Sequence, residues 1–201
     1  MTAGCAASSP PPETTEHHHH EGMHHDFSDV SRWSKEFDDP GRDAWQKPDE
    51  VTKLLAIEPG MTVVDLGAAP GGWSQVAAKR IGAAAGNGKV IAIDLLEMPE
   101  ILGVSFAQLD FLDEDAPEKL IAMLGGRADV VISDMAANTT GHRKTDQLRI
   151  VGLVEAAAAF ACDVLAPGGT FLAKGFQSCA DADLLAQLKR DFAGVRHVKP
   201  A

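Results

Sequence analysis

Short apolar segments alternate with longer amphipathic segments from about residue 48 onwards, and this pattern predicts alternating strands and helices. The expected strands cover residues 61–66, 90–93, 104–109, 128–132 and 170–174, and a sixth is expected to start within residues 195–198. The expected helices are one beginning at Pro48, one from a glycine-rich loop to about residue 80, one around Leu120, and two at residues 147–165 and 181–192. A turn is expected at Pro167-Gly168-Gly169.

Strands that alternate with helices form a parallel, doubly wound sheet with helices on both faces. In such sheets, ligands bind outside the carboxyl ends of the strands. Polar side chains stand at or next to these ends in this sequence, namely Asp65, Asp94, Asp110, Asp134 and Lys174. The sequence therefore predicts an α/β, Rossmann-like fold whose functional site lies along one edge of the sheet.

The composition changes along the chain and divides it into three parts. Residues 1–25 contain a run of prolines and many histidines but few large apolar residues, so we expect a disordered tail there. We expect residues 26–58 to form a helical N-terminal segment and residues 59–201 to form the globular domain. The histidines could bind a transition metal, but no second ligand cluster accompanies them, and we assign no metal site.

The formal net charge of −11 is unfavourable for a protein that binds nucleic acid. However, residues 1–58 hold twelve acidic and five basic residues, whereas residues 59–201 hold seventeen and thirteen. A local basic surface on the domain is therefore compatible with the composition. No apolar run is long enough to span a bilayer, and three cysteines do not make a disulfide framework, so we expect a cytoplasmic protein without membrane contact.

The ten residues Asp65-Leu66-Gly67-Ala68-Ala69-Pro70-Gly71-Gly72-Trp73-Ser74 contain the strongest functional signal. The glycines of this loop allow the backbone to approach a ligand closely and to adopt conformations that a Cβ atom forbids. Asp94 could accept hydrogen bonds from ribose hydroxyls, and Asp110 could hold an adenine amino group. The glycine spacing differs from Gly-x-Gly-x-x-Gly, which cradles a pyrophosphate. The pattern therefore favours S-adenosylmethionine (SAM) over a nicotinamide dinucleotide as the cofactor.

Four segments of the chain form a combination that is specific when taken together. They are residues 61–75, 93–98, 133–138 and 165–169. This combination resembles the FtsJ/RlmE family of ribosomal RNA methyltransferases, and the resemblance runs from about residue 59 to residue 200. It implies a class I SAM-dependent methyltransferase fold. It also implies that the substrate is a uridine 2′-hydroxyl of 23S rRNA in the large ribosomal subunit. We expect a monomer.

The resemblance also implies roles for individual residues. It implies that Lys174, within Ala173-Lys174-Gly175-Phe176-Gln177, is the catalytic lysine and that Asp134 contributes to the same site. The candidate cofactor-binding residues are Gly67, Ala69, Pro70, Gly71, Gly72, Trp73, Asp94, Leu95, Asp110, Phe111 and Asp134. A methyl sulfonium is already electrophilic, so the protein mainly has to align the 2′-hydroxyl and assist loss of its proton.

The active site of the family resembles a Lys-Asp-Lys-Glu set, and this sequence departs from it at two members. Lys47 matches the first lysine with a one-residue gap, and it is either a catalytic residue or simply a lysine at the start of a helix. The final glutamate belongs to a segment that would follow Ala201. Without that segment, we expect one edge of the sheet to be exposed.

Three functions remain open for this sequence. The first is an active rRNA 2′-O-methyltransferase, and the second is a SAM-binding protein with weak or no catalytic activity. The third is a small-molecule class I methyltransferase, which residues 26–58 suggest. The loop His142-Arg143-Lys144 could contact RNA phosphates or could be an ordinary solvated loop. A basic face could also include Lys189, Arg190, Arg196, His197 and Lys199. We expect Trp33 and Trp45 to anchor the N-terminal segment rather than to stack on bases.

Overall fold

The computed structural model describes residue 41, residues 48–137, residues 140–175, residues 182–196 and residue 198 of the 201-residue chain. Within these ranges the helices α1 to α5 are, in order, Pro48–Leu54, Gly72–Ile81, Ala116–Leu124, Arg143–Val164 and Ala182–Asp191. The strands β1 to β5 are, in order, Thr62–Leu66, Lys89–Asp94, Val104–Gln108, Ala128–Ser133 and Leu165–Ala173. A short 3-10 helix, Ala83–Ala85, lies between α2 and β2.

The strands form one parallel sheet in the order β3-β2-β1-β4-β5. The central strand β1 pairs with β2 on one side and with β4 on the other. The chain runs outward from β1 through β2 to β3 and then crosses back to form β4 on the other side of β1. The strand order therefore switches direction between β1 and β4. At such a point the loops after neighbouring strands diverge and leave a crevice for a ligand. The structure confirms the predicted α/β, Rossmann-like fold.

Both faces of the sheet are covered by helices, and the central strands β1, β2 and β4 are therefore buried on both faces. On one face, Val64 and Ile91 pack in a cluster with buried residues of α3 and α4. On the other face, Val63 and Val90 pack with α2 and with Leu55, which follows α1. Consecutive residues of a strand therefore enter different halves of the core.

Helix α4 begins at Arg143, one turn earlier than the periodicity suggested. The loop before it is held by Asp146, whose Oδ1 accepts hydrogen bonds from the backbone N–H of Thr140 at 2.7 Å and from its hydroxyl at 2.6 Å. These bonds stabilise the first turn without any apolar residue. Apolar periodicity could therefore not reveal where the helix starts.

Strand β5 begins at Leu165, directly after α4, and contains the expected Pro-Gly-Gly turn as an irregularity within the strand. The pairing with β4 passes from Ala128↔Leu165 to Val130↔Thr170, so residues 166–169 are looped out opposite one residue of β4. The turn was predicted in the right place, but residues on both sides of it pair with β4 and belong to the same strand.

The prediction of a sixth strand within residues 195–198 was wrong for the residues that are described. Val195, Arg196 and Val198 have no strand structure. β-branched residues form a strand when a neighbouring strand takes up their backbone hydrogen bonds. Among the described residues, β5 pairs with β4 on one side, and nothing pairs with its outer edge.

Several predictions fall outside the described ranges. Residues 1–40 lie there, as do Trp45, Lys47 and His197, so the proposed division into tail, N-terminal segment and domain stays a prediction. The predicted helix start at Pro48 agrees with α1. None of the helices in the described ranges is both long enough and apolar enough to cross a membrane.

Candidate active site

The carboxyl edge of the sheet brings together four of the polar residues that the sequence placed at strand ends. Asp65 lies in β1, Asp94 ends β2, Asp134 follows β4 and Lys174 follows β5. Backbone hydrogen bonds continue the sheet through the last two: Asp134 N–H donates to the carbonyl of Leu66 at 3.0 Å, and Lys174 N–H donates to that of Ser133 at 2.9 Å. The backbone of both residues is therefore held by the neighbouring strand.

Lys174 and Asp134 form an ion pair at this edge, with 2.8 Å between Nζ and Oδ1. The lysine side chain is 76% exposed and that of Asp134 is 25% exposed. Ion pairs this exposed contribute little to folding stability. The carboxylate instead orients an ammonium group that remains accessible to a ligand from solvent.

The loop between β1 and α2 crosses the edge beside Asp134. Gly67 and Gly71 have φ angles of +80° and +116°, which side chains rarely permit. A Cβ atom on Gly67 would lie 2.8 Å from both the N and the Cα of Met135. The glycine loop therefore lies directly against the residue that follows Asp134.

Asp94 binds the same loop from β2. Its Oδ2 accepts a hydrogen bond from the N–H of Ala69 at 2.9 Å, and its Oδ1 accepts one from the N–H of Leu96 at 2.8 Å. Burial raises the pKa of Asp94, and the backbone donors partly offset this effect. Each carboxylate oxygen can accept a further hydrogen bond. Asp94 can therefore hold the loop and still accept hydrogen bonds from ligand hydroxyls.

The predicted cofactor-binding residues Leu95, Asp110 and Phe111 differ in what they offer a ligand. Asp110 is partly buried, and its Oδ1 accepts a hydrogen bond from the N–H of Leu112 at 2.9 Å. Leu95 is 61% exposed and presents apolar surface. The ring of Phe111 is buried and packs edge-to-face on Phe160, with 5.7 Å between ring centroids. The side chain of Phe111 therefore belongs to the core, which leaves its backbone for a ligand contact.

The remaining candidate residues of the loop also differ. Ala69 and Pro70 are joined by a cis peptide bond. Trp73 is partly buried and packs against the core on the α2 side of the sheet. Gly72 is exposed, and no atom lies within 4 Å of the place where its Cβ would stand.

Asp65 has an environment that the sequence analysis did not foresee. It is completely buried, its Oδ2 accepts a hydrogen bond from the Ser74 hydroxyl at 2.6 Å, and the backbone of Ser74 bonds to it as well. Its Oδ1 has no hydrogen-bond partner in the part of the chain that the structure describes. Burial raises its pKa to about 7, helped by the charges of Asp134 and Asp94 and opposed by Ser74. An acid inside an otherwise apolar strand is the sequence signal that could have revealed it.

A groove of about 900 Å³ lies between α4, β5 and α5. Its lining is mostly apolar, including Val154, Leu188 and Phe192, and contains none of Asp65, Asp94 and Asp134. The chemistry of the side chains, rather than the volume of the groove, therefore locates the candidate site. Ala173 and Gly175 line the groove on either side of Lys174.

A family model described as FtsJ-like methyltransferase matches residues 44–201. The ribosomal RNA large subunit methyltransferase E of Bradyrhizobium diazoefficiens is 81% identical over 149 residues, which cover 74% of this chain and 65% of that protein. The protein of the same name from Afipia carboxidovorans is 74% identical over 160 residues, covering 80% of this chain and 71% of that protein. The chain thus spans less than two thirds of the first of these relatives.

The fold also matches a solved structure from Plasmodium falciparum that bears the name ribosomal RNA methyltransferase. The TM-score is 0.66 at 25% sequence identity, and the match covers 79% of this chain and 90% of that one. The parallel sheet is therefore shared with a protein whose sequence has diverged widely.

Proposed function

The chain belongs to the FtsJ-like methyltransferase family, and on that premise we propose that it transfers a methyl group from SAM to a uridine 2′-hydroxyl of 23S rRNA in the large ribosomal subunit. The observation that carries this proposal is the ion pair between Lys174 and Asp134, and Met135, which follows Asp134, lies against the glycine loop. The name of the 81% identical relative supports ribosomal RNA as the substrate.

The described residues fit SAM in charge. The carboxylates of Asp94 and Asp134 lie at the same edge of the sheet, and Lys174 pairs with the second of them. An anionic edge of this kind favours a ligand that carries a sulfonium and an ammonium group. When bound, SAM supplies a methyl group on a positively charged sulfur, which is electrophilic without further activation.

Binding of the nucleoside part is assigned to the ends of β2 and β3. Asp94 would accept hydrogen bonds from the ribose hydroxyls with the acceptor sites that Ala69 and Leu96 leave free. Asp110 would hold the adenine amino group, and Leu95 would cover the apolar face of the base. The glycine loop would approach the remainder of the cofactor through its backbone.

Lys174 would act on the ribose 2′-hydroxyl. Its ammonium group would orient the oxygen towards the methyl group and would stabilise the negative charge that develops as the hydroxyl loses its proton to solvent water. Asp134 would keep the ammonium in place through the 2.8 Å contact. Because the lysine side chain is 76% exposed, a large RNA can reach it from solvent.

The proposal is tested by incubating the chain with methyl-labelled SAM and large ribosomal subunits from cells that lack this modification. We expect label in 23S rRNA, and alkaline hydrolysis should release it in a dinucleotide because a methylated 2′-oxygen cannot attack the neighbouring phosphate. Already methylated subunits serve as the control and should accept no label. Label on a base or on a small molecule would contradict the proposal. Cofactor binding without transfer would leave a SAM-binding module.

The loop before α4 supplies a candidate contact with RNA phosphates. Arg143 and Lys144 are exposed at the start of the helix, and the bonds from Thr140 to Asp146 order the loop that leads to them. The Thr145 hydroxyl and His142 Nδ1 lie 3.1 Å apart and add to this order. Lysine and arginine bind phosphates through charge that salt screens.

We expect the double substitution Arg143→Glu with Lys144→Glu to raise the KM for ribosomal subunits by about tenfold at low salt, with a smaller effect at high salt. SAM affinity should stay unchanged. The matched control is Lys53→Glu with Lys79→Glu, which makes the same charge change at two exposed positions on α1 and α2. An equal rise in KM for both double variants would refute a specific role for the loop.

A further inference from the structure

Asp65 is fully buried and is only partly satisfied by its neighbours. Its Oδ2 accepts a hydrogen bond from the Ser74 hydroxyl at 2.6 Å, while its Oδ1 has no hydrogen-bond partner among the described residues. Ser74 is also fully buried and lies in the first turn of α2, next to Trp73 and the glycines of the loop. The carboxyl group therefore ties the loop to the central strand.

The charges around Asp65 oppose its ionisation. Asp94 faces it from β2 and Asp134 from the end of β4, and both raise its pKa, although burial is the larger cause. Lys174 from β5 is paired with Asp134. Of the charged residues on the two helices on its face of the sheet, those whose side chains the structure describes are exposed, namely Glu50, Lys53, Lys79 and Arg80. The buried carboxyl group thus has no cationic partner of its own in the described chain, and its pKa lies near 7.

We propose that Asp65 is a positioning residue that carries a proton in the empty site and releases it when SAM binds, so that the site prefers SAM to S-adenosylhomocysteine. This inference rests on the proposed function, because it assumes that SAM binds at this edge. The O–H bond of the carboxylic acid breaks, its electron pair stays on the carboxylate, and the proton passes to the buffer.

The reason for this coupling is the charge of the cofactor. The sulfonium of SAM brings a positive charge into the region where the carboxyl groups of Asp65, Asp94 and Asp134 meet, and it favours the ionised form of Asp65. S-adenosylhomocysteine has a neutral sulfur and gives less help. The ionised carboxylate also accepts a stronger hydrogen bond from Ser74, which tightens the loop on α2. After methyl transfer, Asp65 takes up a proton from solvent, and the loop holds the product less firmly.

The test is isothermal titration calorimetry of SAM binding at pH 7 in two buffers that differ in ionisation enthalpy, because the difference in heat gives the number of protons released. Since the pKa of Asp65 lies at about 7, we expect the wild-type chain to release about half a proton. Asp65→Asn keeps an acceptor for Ser74 but cannot ionise, and it should release none from this position. Asp129→Asn is the matched control. Its carboxylate accepts a hydrogen bond from Thr62 N–H at 2.8 Å, at the other end of β1.

The affinity itself provides a second readout. A group that must lose a proton makes binding tighter as the pH rises through its pKa. Relative to Asp65→Asn, wild-type affinity for SAM should therefore be about tenfold higher at pH 8 than at pH 6. Dividing the wild-type affinity by that of Asp65→Asn cancels the pH effects of SAM itself and of every other group that the two proteins share. The same ratio measured with S-adenosylhomocysteine should change less.

Each outcome separates the inference from the proposed function. No SAM binding by the wild-type chain would refute the function proposed for the site. SAM binding with equal proton release by the wild type and Asp65→Asn would refute the inference alone. If Asp65→Asn does not fold, the wild-type comparison of SAM with S-adenosylhomocysteine decides, because equal proton release by the two ligands contradicts the coupling.

Discussion

Lys174→Ala should lower kcat for methyl transfer to ribosomal subunits by a factor on the order of 10³, which is within the range for loss of one group that assists proton transfer. The ammonium group 2.8 Å from Asp134 is the described cation at the carboxyl edge that can stabilise a developing alkoxide. SAM affinity should change by less than about twofold, because the carboxylates and the glycine loop that would bind the cofactor remain. Single-turnover incorporation of label, with the affinity measured separately by calorimetry, checks both parts.

The control for Lys174→Ala is Lys79→Ala, which removes another exposed lysine, from α2. It should retain the wild-type kcat if the effect of Lys174 reflects its position rather than the net charge of the chain. Lys174→Arg keeps the charge but replaces a compact ammonium with a wider planar group, so we expect partial activity. Equal incorporation by the wild type and Lys174→Ala would rule out the assigned chemistry.

Gly67→Ala should lower the free energy of unfolding by about 3 kcal/mol and should also reduce methyl transfer. The φ angle of +80° is strained for alanine, and the new Cβ would lie 2.8 Å from backbone atoms of Met135. A backbone cannot move aside as a flexible side chain can. Because Asp134 precedes Met135 and its N–H bonds to Leu66 at 3.0 Å, relief of the clash would displace the acidic partner of Lys174. Urea unfolding of the cofactor-free chain measures the first effect, and the transfer assay measures the second.

The matched control for Gly67→Ala is Gly72→Ala, five residues further along the same loop. Gly72 is the first residue of α2, its φ lies outside the positive range, and a Cβ there would meet open space. Alanine favours helix over glycine by up to about 1 kcal/mol, so the control should be as stable as the wild type or slightly more stable. An unchanged urea midpoint for Gly67→Ala would show that the loop can adapt, and that Gly67 is not required for contact with Met135.

Much of the fold and most of the candidate site could be predicted from sequence because both depend on local patterns. The apolar runs identified β1 to β5 to within a few residues, except for the start of β5, which is displaced by the looped-out residues 166–169. Asp94, Asp134 and Lys174 could be grouped from their positions in the chain, since the carboxyl ends of parallel strands meet at one edge. Two features could not be predicted in the same way. They are the start of α4 and the lack of strand structure at Val195, Arg196 and Val198. The first depends on polar bonds to Asp146 and the second on a neighbouring strand.

The sequence by itself determined the alternation of strands and helices, the glycine loop and the family, because each depends on the types of residues that lie close together in the chain. The tertiary structure decided which of the candidate residues touch. It placed Lys174 against Asp134, turned the ring of Phe111 into the core and brought Gly67 to the backbone of Met135. It also gave Asp65 its burial and its neighbouring charges, because these come from segments distant in the chain that meet only when the sheet assembles.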